Sequence, residues 1–263
     1  RLRAIIHMGA ISATTETDGD LILKRNFRPT KMLWRFATDN KIPFIYASSA
    51  ATYGDGMAGF EDNQDEAALA KLQPLNLYGW SKHAFDKFVA REITRGAMTP
   101  PQWAGLKFFN VYGPNEYHKG SMKSVIAQSY PKIAAGEAVT LFKSHNPDYE
   151  DGGQLRDFVY VKDCVDVMLW LLDNGAVSGL FNLGTGKARS FKDLASAVFT
   201  AANKPEKINY VDTPIEIRDK YQYFTEANMQ KLRAAGFGGN FRSLEDGISD
   251  YVTNYLAKDD PYR

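Results

Sequence analysis

The segment Tyr78-Gly79-Trp80-Ser81-Lys82 sets a phenol four residues before an amine. On a helix those two side chains share one face. An ammonium beside a phenol favours the phenolate. The phenol's pKa is therefore expected to fall from about 10 toward the range where a general base works. The same amine is placed to hydrogen-bond a ribose. Ser49 lies 29 residues before Tyr78, just after the apolar run Pro43-Phe44-Ile45-Tyr46-Ala47. In open parallel sheets ligands bind at the carboxyl ends of strands. A serine hydroxyl there can hold a substrate oxygen while the phenol takes its proton.

Taken alone, Tyr-x-x-x-Lys is common and reads as a solvated helix face. Three further strings narrow the reading. Ser48-Ser49-Ala50-Ala51-Thr52-Tyr53-Gly54 closes one strand, Phe109-Asn110-Val111-Tyr112-Gly113-Pro114 closes the next, and Arg156-Asp157-Phe158-Val159-Tyr160-Val161 opens a later one. The joint pattern is far more specific than any member.

The elements that must hold these residues alternate between strand-like and helix-like stretches, which predicts an α/β fold with a mostly parallel sheet. Strands are expected near 3–8, 43–47, 106–109, 138–142, 157–161, 180–184 and 207–211. Helices are expected near 27–39, 77–95, 122–135, 162–173, 190–202, 225–235 and 243–257. Met32, Leu33 and Phe36 mark the apolar positions of the first helix. The run Val167–Leu172 predicts a helix buried on most sides. Residues 143–155 lack apolar periodicity and read as a mobile surface loop.

Composition bounds the rest. The 263 residues are 44% hydrophobic and 24% charged, the profile of a globular chain of one large or two small domains. A net charge of +1 gives no electrostatic footprint for nucleic acid or an anionic membrane. No apolar run reaches the length of a membrane span. The single cysteine, Cys164, excludes an internal disulfide framework and fits a reducing, cytoplasmic compartment. His7, His83, His118 and His145 are scattered, so no metal site is expected.

On these strings the chain resembles the extended short-chain dehydrogenase/reductases that act on nucleotide-diphosphate sugars, from His7 to Tyr255. More narrowly it is similar to the branch that inverts C6 of ADP-linked heptoses. The narrower marks are Gly9-Ala10 with Ser12–Glu16, His118-Lys119-Gly120-Ser121-Met122, and Tyr221–Thr225. The resemblance implies a Rossmann-like doubly wound parallel sheet over 1–110 and 155–184, with a smaller substrate-binding region over 111–154 and 185–263. It implies NADP as cofactor: hydride leaves C6, and the transient ketone is reduced on its other face, so no net redox change occurs. The protein then supplies position and proton transfer.

The two proton acceptors of that family fall on Tyr78 and Lys119, with Ser49 polarising the oxygen and Lys82 tuning Tyr78. Cofactor contacts fall on Gly9, Ala10, Ser12, Lys82, Val111 and Lys119. Substrate contacts fall on Asn110, Ser121, Phe142, Arg156 and Tyr221. A guanidinium suits a diphosphate because its planar fork binds two oxygens at once. An ion pair of Arg156 with Asp157 or Asp163 is the plainer alternative. The family also implies a homo-oligomer, with a pentamer as the candidate state.

Departures from the family are specific. No G-x-G-x-x-G follows the first strand, and Gly184-Thr185-Gly186 lacks the strand–turn–helix context. The layout of such a half-domain leads to the expectation that about 65–70 residues precede Arg1. Arg25 stands where relatives carry an amide, with Asn26 beside it. A 4,6-dehydratase would need an Asp-Glu pair after the strand-end hydroxyl, whereas Ala50-Ala51 follows Ser49. A 4-epimerase of the same superfamily and a non-catalytic nucleotide-sugar-binding fragment are the other two readings.

Overall fold

The computed structural model describes residues 2–218 and 222–262. Its strands in chain order are β1 (Ile5–His7), β2 (Phe44–Ser49), β3 (Trp103–Phe108), β4 (Asn110–Tyr112), β5 (Val139–Phe142), β6 (Leu155–Tyr160), β7 (Gly179–Leu183), β8 (Ala188–Ser190) and β9 (Ile208–Val211). The helices are α1 (Gly19–Ile22), α2 (Arg28–Asp39), α3 (Glu66–Ala70), α4 (Leu77–Thr94), α5 (Val125–Ala134), α6 (Val161–Asp173), α7 (Phe191–Ala201), α8 (Ile215–Arg218), α9 (Gln230–Ala234) and α10 (Leu244–Tyr251).

The chain divides into two compact units. The first runs to Phe109 and adds Val165–Leu183 and Ala227–Gly239; the second holds Asn110–Cys164, Gly184–Glu226 and the stretch from Asn240 on. The division differs from the sequence expectation in two places. Strand β6 was expected in the nucleotide-binding core, but its ladder partners are β4 and β8, both in the second unit. Ala227–Gly239 was expected with the substrate region, but Asn182 on β7 donates to the Asn228 carbonyl at 3.0 Å and so ties it to the first unit.

The first unit is built on a parallel sheet in the order β1-β2-β3-β7. β2 and β3 are covered on both faces, so they read as continuous apolar runs rather than alternating ones. Trp34 of α2 and Phe85 of α4 sit edge-on to the strand rings Phe44 and Tyr46, with ring centroids 5.9 and 4.8 Å apart. α4 starts sharply because the Asn76 side chain accepts from the Gly79 amide at 2.8 Å. Gly79 has a packing reason: a Cβ there would lie 2.7 Å from the Ala51 carbonyl oxygen, so only glycine lets the helix approach the end of β2 this closely.

The buried face of α2 is not the one that apolar spacing suggested. Met32 and Phe36 are exposed, while Thr30, Trp34 and Ala37 are buried. A π turn over Leu23–Phe27 precedes the helix and brings Asn26 to the same face. Polar residues on this face are used for bonding: Thr30 donates to the Asn26 carbonyl at 2.5 Å and lies 2.9 Å from His7 Nε2. α6 is likewise less enclosed than its run of apolar residues implied. Cys164, Val167 and Leu171 are buried, and Val165 and Leu169 are exposed.

The second unit packs Tyr112, Ile126, Phe158, Leu194, Val198, Ile248 and Tyr251 into one core. β4 and β6 pair in parallel, β6 and β8 antiparallel, and β5 and β9 in parallel. The stretch 143–155, expected to be mobile, is fastened by hydrogen bonds within itself and to Thr213 and Tyr223. Ser144 N donates to Asp151 at 2.8 Å, His145 N to the Tyr223 hydroxyl at 2.9 Å, and Gly152 N to the Phe142 carbonyl at 3.0 Å. Helix 225–235 shrinks to α9, and just before it the Asn228 side chain accepts from Gln230 N at 2.9 Å.

Candidate active site

In the first unit the candidate residues gather at the carboxyl edge of the sheet. Ser49 ends β2 and is buried. Its Oγ accepts from Ala51 N at 3.1 Å and starts the tight turn Ala50–Tyr53. Tyr78 lies in the first turn of α4, half-buried, with its phenol close enough to the Ser49 hydroxyl to feel it electrostatically. Lys82 follows one turn later, and its ammonium is 6.0 Å from the centre of the Tyr78 ring. Ser49, Tyr78 and Lys82 are thus brought together by a strand end and one helix face.

The electrostatics correct one expectation. Burial pushes the Tyr78 phenol up from its usual value, and the Ser49 hydroxyl only partly offsets this. The effect expected from Lys82 falls instead on the amine itself, which burial pulls down to about 8 against an opposing pull from Asp86. Lys82 is more than nine-tenths buried, and it donates to the Ala47 carbonyl at 2.8 Å. An ammonium has three donors, so two remain for hydroxyls of a ligand.

The loop after β1 carries Gly9, Ala10 and Ser12. Gly9 and Ser12 are exposed and Ala10 is half-buried. Its position is fixed by a residue that sequence reasoning did not assign. Asn26, 3% exposed, accepts from Ile11 N at 2.8 Å and donates to Ile11 O at 3.0 Å and to Ser81 Oγ at 2.9 Å. One amide therefore ties the post-β1 loop to α4 between Tyr78 and Lys82. Arg25, its neighbour, is exposed. The signal was the amide itself beside a position where relatives carry one.

The second unit holds the remaining candidates. Asn110 and Val111 lie on β4, exposed and half-buried. Lys119 is exposed in a 3-10 stretch, Tyr117–Met122, that kinks at Gly120 with φ +56°. Ser121 lies in the same stretch. Both ends of the stretch are pinned by buried Glu116, another residue not foreseen. Its carboxylate accepts from Ser124 N and Ser124 Oγ, both at 2.6 Å, and from the Tyr251 hydroxyl at 3.0 Å.

Phe142 ends β5 and lines a cavity of about 350 Å³ together with Val125, Gln128, Leu141, Gln154 and Phe191. Two phenyl rings beside aliphatic side chains and the polar groups of Gln128 and Gln154 suit a flat heterocycle with hydrogen-bonding edges. Gln154 and Phe191 were not singled out from sequence. Arg156 on β6 stacks over Phe191 at 5.8 Å and donates to the Leu155 carbonyl at 2.7 Å and to the Gln222 carbonyl. Of the carboxylates considered as its partners, Asp157 accepts from the Thr185 and Gly186 amides at 2.7 and 2.9 Å, and Asp163 accepts from Arg242. Tyr221 lies outside the described residues. Among the described residues no group of three or more metal-ligating side chains forms, and no helix is long and apolar enough to cross a membrane.

The donor set of the first unit suits the ribose end of a nicotinamide dinucleotide: an under-coordinated ammonium, a phenol–serine pair and an exposed loop of small residues after a parallel strand. The comparisons agree with that class. The chain belongs to the NAD dependent epimerase/dehydratase family, which matches residues 1–184. It is therefore an isomerase-class enzyme that works with a nicotinamide dinucleotide.

Among particular proteins, it is 53% identical over 259 residues to the ADP-L-glycero-D-manno-heptose-6-epimerase of Nitratidesulfovibrio vulgaris strain DP4, covering 98% of this chain and 78% of that one. The enzyme of the same name from Fusobacterium nucleatum is 50% identical, with 99% and 79% covered. The crystal structure of the Helicobacter pylori ADP-L-glycero-D-manno-heptose-6-epimerase superposes with a TM-score of 0.77 at 28% identity, over 96% of this chain and 72% of that one.

Proposed function

We propose that this protein inverts C6 of the heptose in ADP-D-glycero-D-manno-heptose, with tightly held NADP, as a step toward lipopolysaccharide core precursors. The carrying observation is the Ser49–Tyr78 hydroxyl pair beside the buried Lys82 ammonium at the end of β2. The substrate is inferred from the relatives at 50–53% identity.

The bound dinucleotide supplies a hydride acceptor that returns the same hydride, so the substrate ends at its starting oxidation level. Ser49 donates to the C6 oxygen and holds it against Tyr78. Tyr78 takes the hydroxyl proton as C6 becomes a ketone. Lys82 donates to the nicotinamide ribose. Inversion requires the ketone to present its other face, and a second acid–base group serves that orientation. Lys119 takes this role, and the resemblance assigns it a cofactor contact as well.

Gly9, Ala10, Ser12 and Val111 line the dinucleotide. Asn110 and Ser121 are assigned to the sugar and Phe142 and Arg156 to the ADP; Tyr221, also assigned to the substrate, lies outside the described residues. The partner is a nucleotide-diphosphate sugar, without nucleic acid or membrane, and the assembly is a homo-oligomer, with a pentamer as the candidate state. A cytoplasmic location fits the single buried thiol, Cys164.

The test is direct. The protein interconverts the two C6 epimers without added reductant. Stoichiometric consumption of NADPH would make it a reductase instead. Tyr78→Phe and Lys119→Met each impair turnover and leave sugar-nucleotide binding intact. Wild-type turnover in the Lys119 variant would remove the two-base mechanism.

A further inference from the structure

Behind the strand end that carries Ser49 lies a charge pair with no contact to solvent. Asp86 is one helical turn beyond Lys82 on α4, and Lys107 is on β3; both side chains are fully buried. Lys107 Nζ donates to Asp86 Oδ2 at 2.8 Å and to Thr52 Oγ1 at 2.7 Å. Thr52 in turn donates to the Ser49 carbonyl at 2.8 Å. Asp86 also accepts from Ser48 Oγ at 2.7 Å and from the Tyr46 hydroxyl at 3.1 Å. Lys82 docks between those two residues, on the Ala47 carbonyl. Two successive turns of α4 thus place a cation and an anion on three consecutive residues of β2.

A buried ion pair is a poor stabiliser. Apolar replacements of similar volume are often as stable or more so. Holding the fold together therefore does not account for this one. We infer that Asp86, itself held by Lys107, is a positioning residue that keeps Lys82 in its ammonium form and fixes the strand end bearing Ser49. The catalytic arm of this inference rests on the epimerase reading above.

The other titratable groups around Lys82 do not change charge in the same range. His7 on β1 is held below its usual value by burial and by Lys82 itself, and burial takes His83 on α4 down to about 4. Burial raises Tyr46 on β2, Tyr53 after it, and Tyr78 above 10. Lys107 on β3 is ion-paired with Asp86 at 2.8 Å. Lys82, brought to about 8 by burial and supported by Asp86, is the group that loses charge as pH rises past 8. Removing the Asp86 charge makes that loss occur at lower pH.

The experiment follows the Lys82 ε-carbon by NMR in lysine-labelled protein without substrate, assigned with Lys82→Met, beside the pH profile of kcat. The variants are Asp86→Asn, Asp86→Glu and the neutral pair Asp86→Asn/Lys107→Met. Loss of one charge a helical turn away lowers the Lys82 midpoint by about 1–2 units, and the basic limb of kcat moves with it.

Asp86→Asn strands the buried Lys107 cation and can fail to fold, whereas the neutral pair removes both charges and carries the test. It regains thermal stability yet keeps the lowered midpoint. Asp86→Glu keeps the wild-type midpoint. An unchanged Lys82 midpoint in the neutral pair, or an equal fall in Asp86→Glu, overturns the inference. The NMR arm needs no heptose, so a lowered midpoint in a protein inactive on ADP-heptose would sink the assigned reaction and uphold this one.

Discussion

Asn26 gives the sharpest test of how the post-β1 loop is held. Asn26→Ala removes three hydrogen bonds at once, two to Ile11 and one to Ser81, at 2.8, 3.0 and 2.9 Å. Each such bond contributes about 1 kcal/mol net, and a buried group left unpaired costs about 1–3 kcal/mol. Ile11 is half-buried, so water recovers part of the loss. The expected destabilisation is about 2–3 kcal/mol, or a fall in Tm of about 5–10 °C.

Ser81→Ala is the internal comparison. It removes only the Asn26–Ser81 bond and a local bond from Ser81 to the Tyr78 carbonyl, so it costs about 1–2 kcal/mol. Urea unfolding of the cofactor-free protein measures both. Because the loop carries Gly9, Ala10 and Ser12, Asn26→Ala also weakens nicotinamide dinucleotide binding by titration calorimetry, and Ser81→Ala does so less. If Asn26→Ala unfolds at the same urea concentration as Ser81→Ala, the loop is held by something other than this amide and the reasoning fails.

Other perturbations address the remaining parts of the site. Gly79→Ala forces a methyl against the Ala51 carbonyl and costs about 1–3 kcal/mol, with kcat reduced because Tyr78 moves away from Ser49; an unaltered kcat would show that the close approach is dispensable. Glu116→Gln weakens the clamp on Tyr117–Met122, and limited proteolysis there accelerates while cleavage elsewhere does not. Asp250 supplies an acid-side signature. Burial raises its pKa, but hydrogen bonds from Lys162, Tyr160 and Asn254 outweigh this and hold it at about 2. A depressed carboxylate stabilises the fold above its unfolded value near 4 and loses that contribution as pH falls toward 2. The urea midpoint of Asp250→Asn is therefore lower at pH 7 and converges on wild type near pH 2, and parallel curves would refute the linkage.

What the amino-acid order determined is local. Tyr78 and Lys82 share a helix face because helical geometry gives them no choice, and Ser49 ends β2 because Phe44–Ala47 is an apolar strand that must stop at polar residues. The parallel sheet was legible in the alternation of such runs. The joint strings around 49, 78, 110, 119 and 156 carried the family.

Tertiary structure decided whatever depends on partners distant in the chain. Met32 and Phe36 looked like core because apolar spacing is blind to a polar residue that is buried in order to bond; Thr30 and Asn26 took that face because His7 and Ile11 required partners. The loop 143–155 looked mobile because its anchors, Thr213 and Tyr223, lie about 60–80 positions away. Most of all, the direction of the Tyr78 shift could not be read from its neighbour at 82. Desolvation is a property of everything packed around a group, and here it outweighs the favourable effect of the Ser49 hydroxyl once the phenol is enclosed.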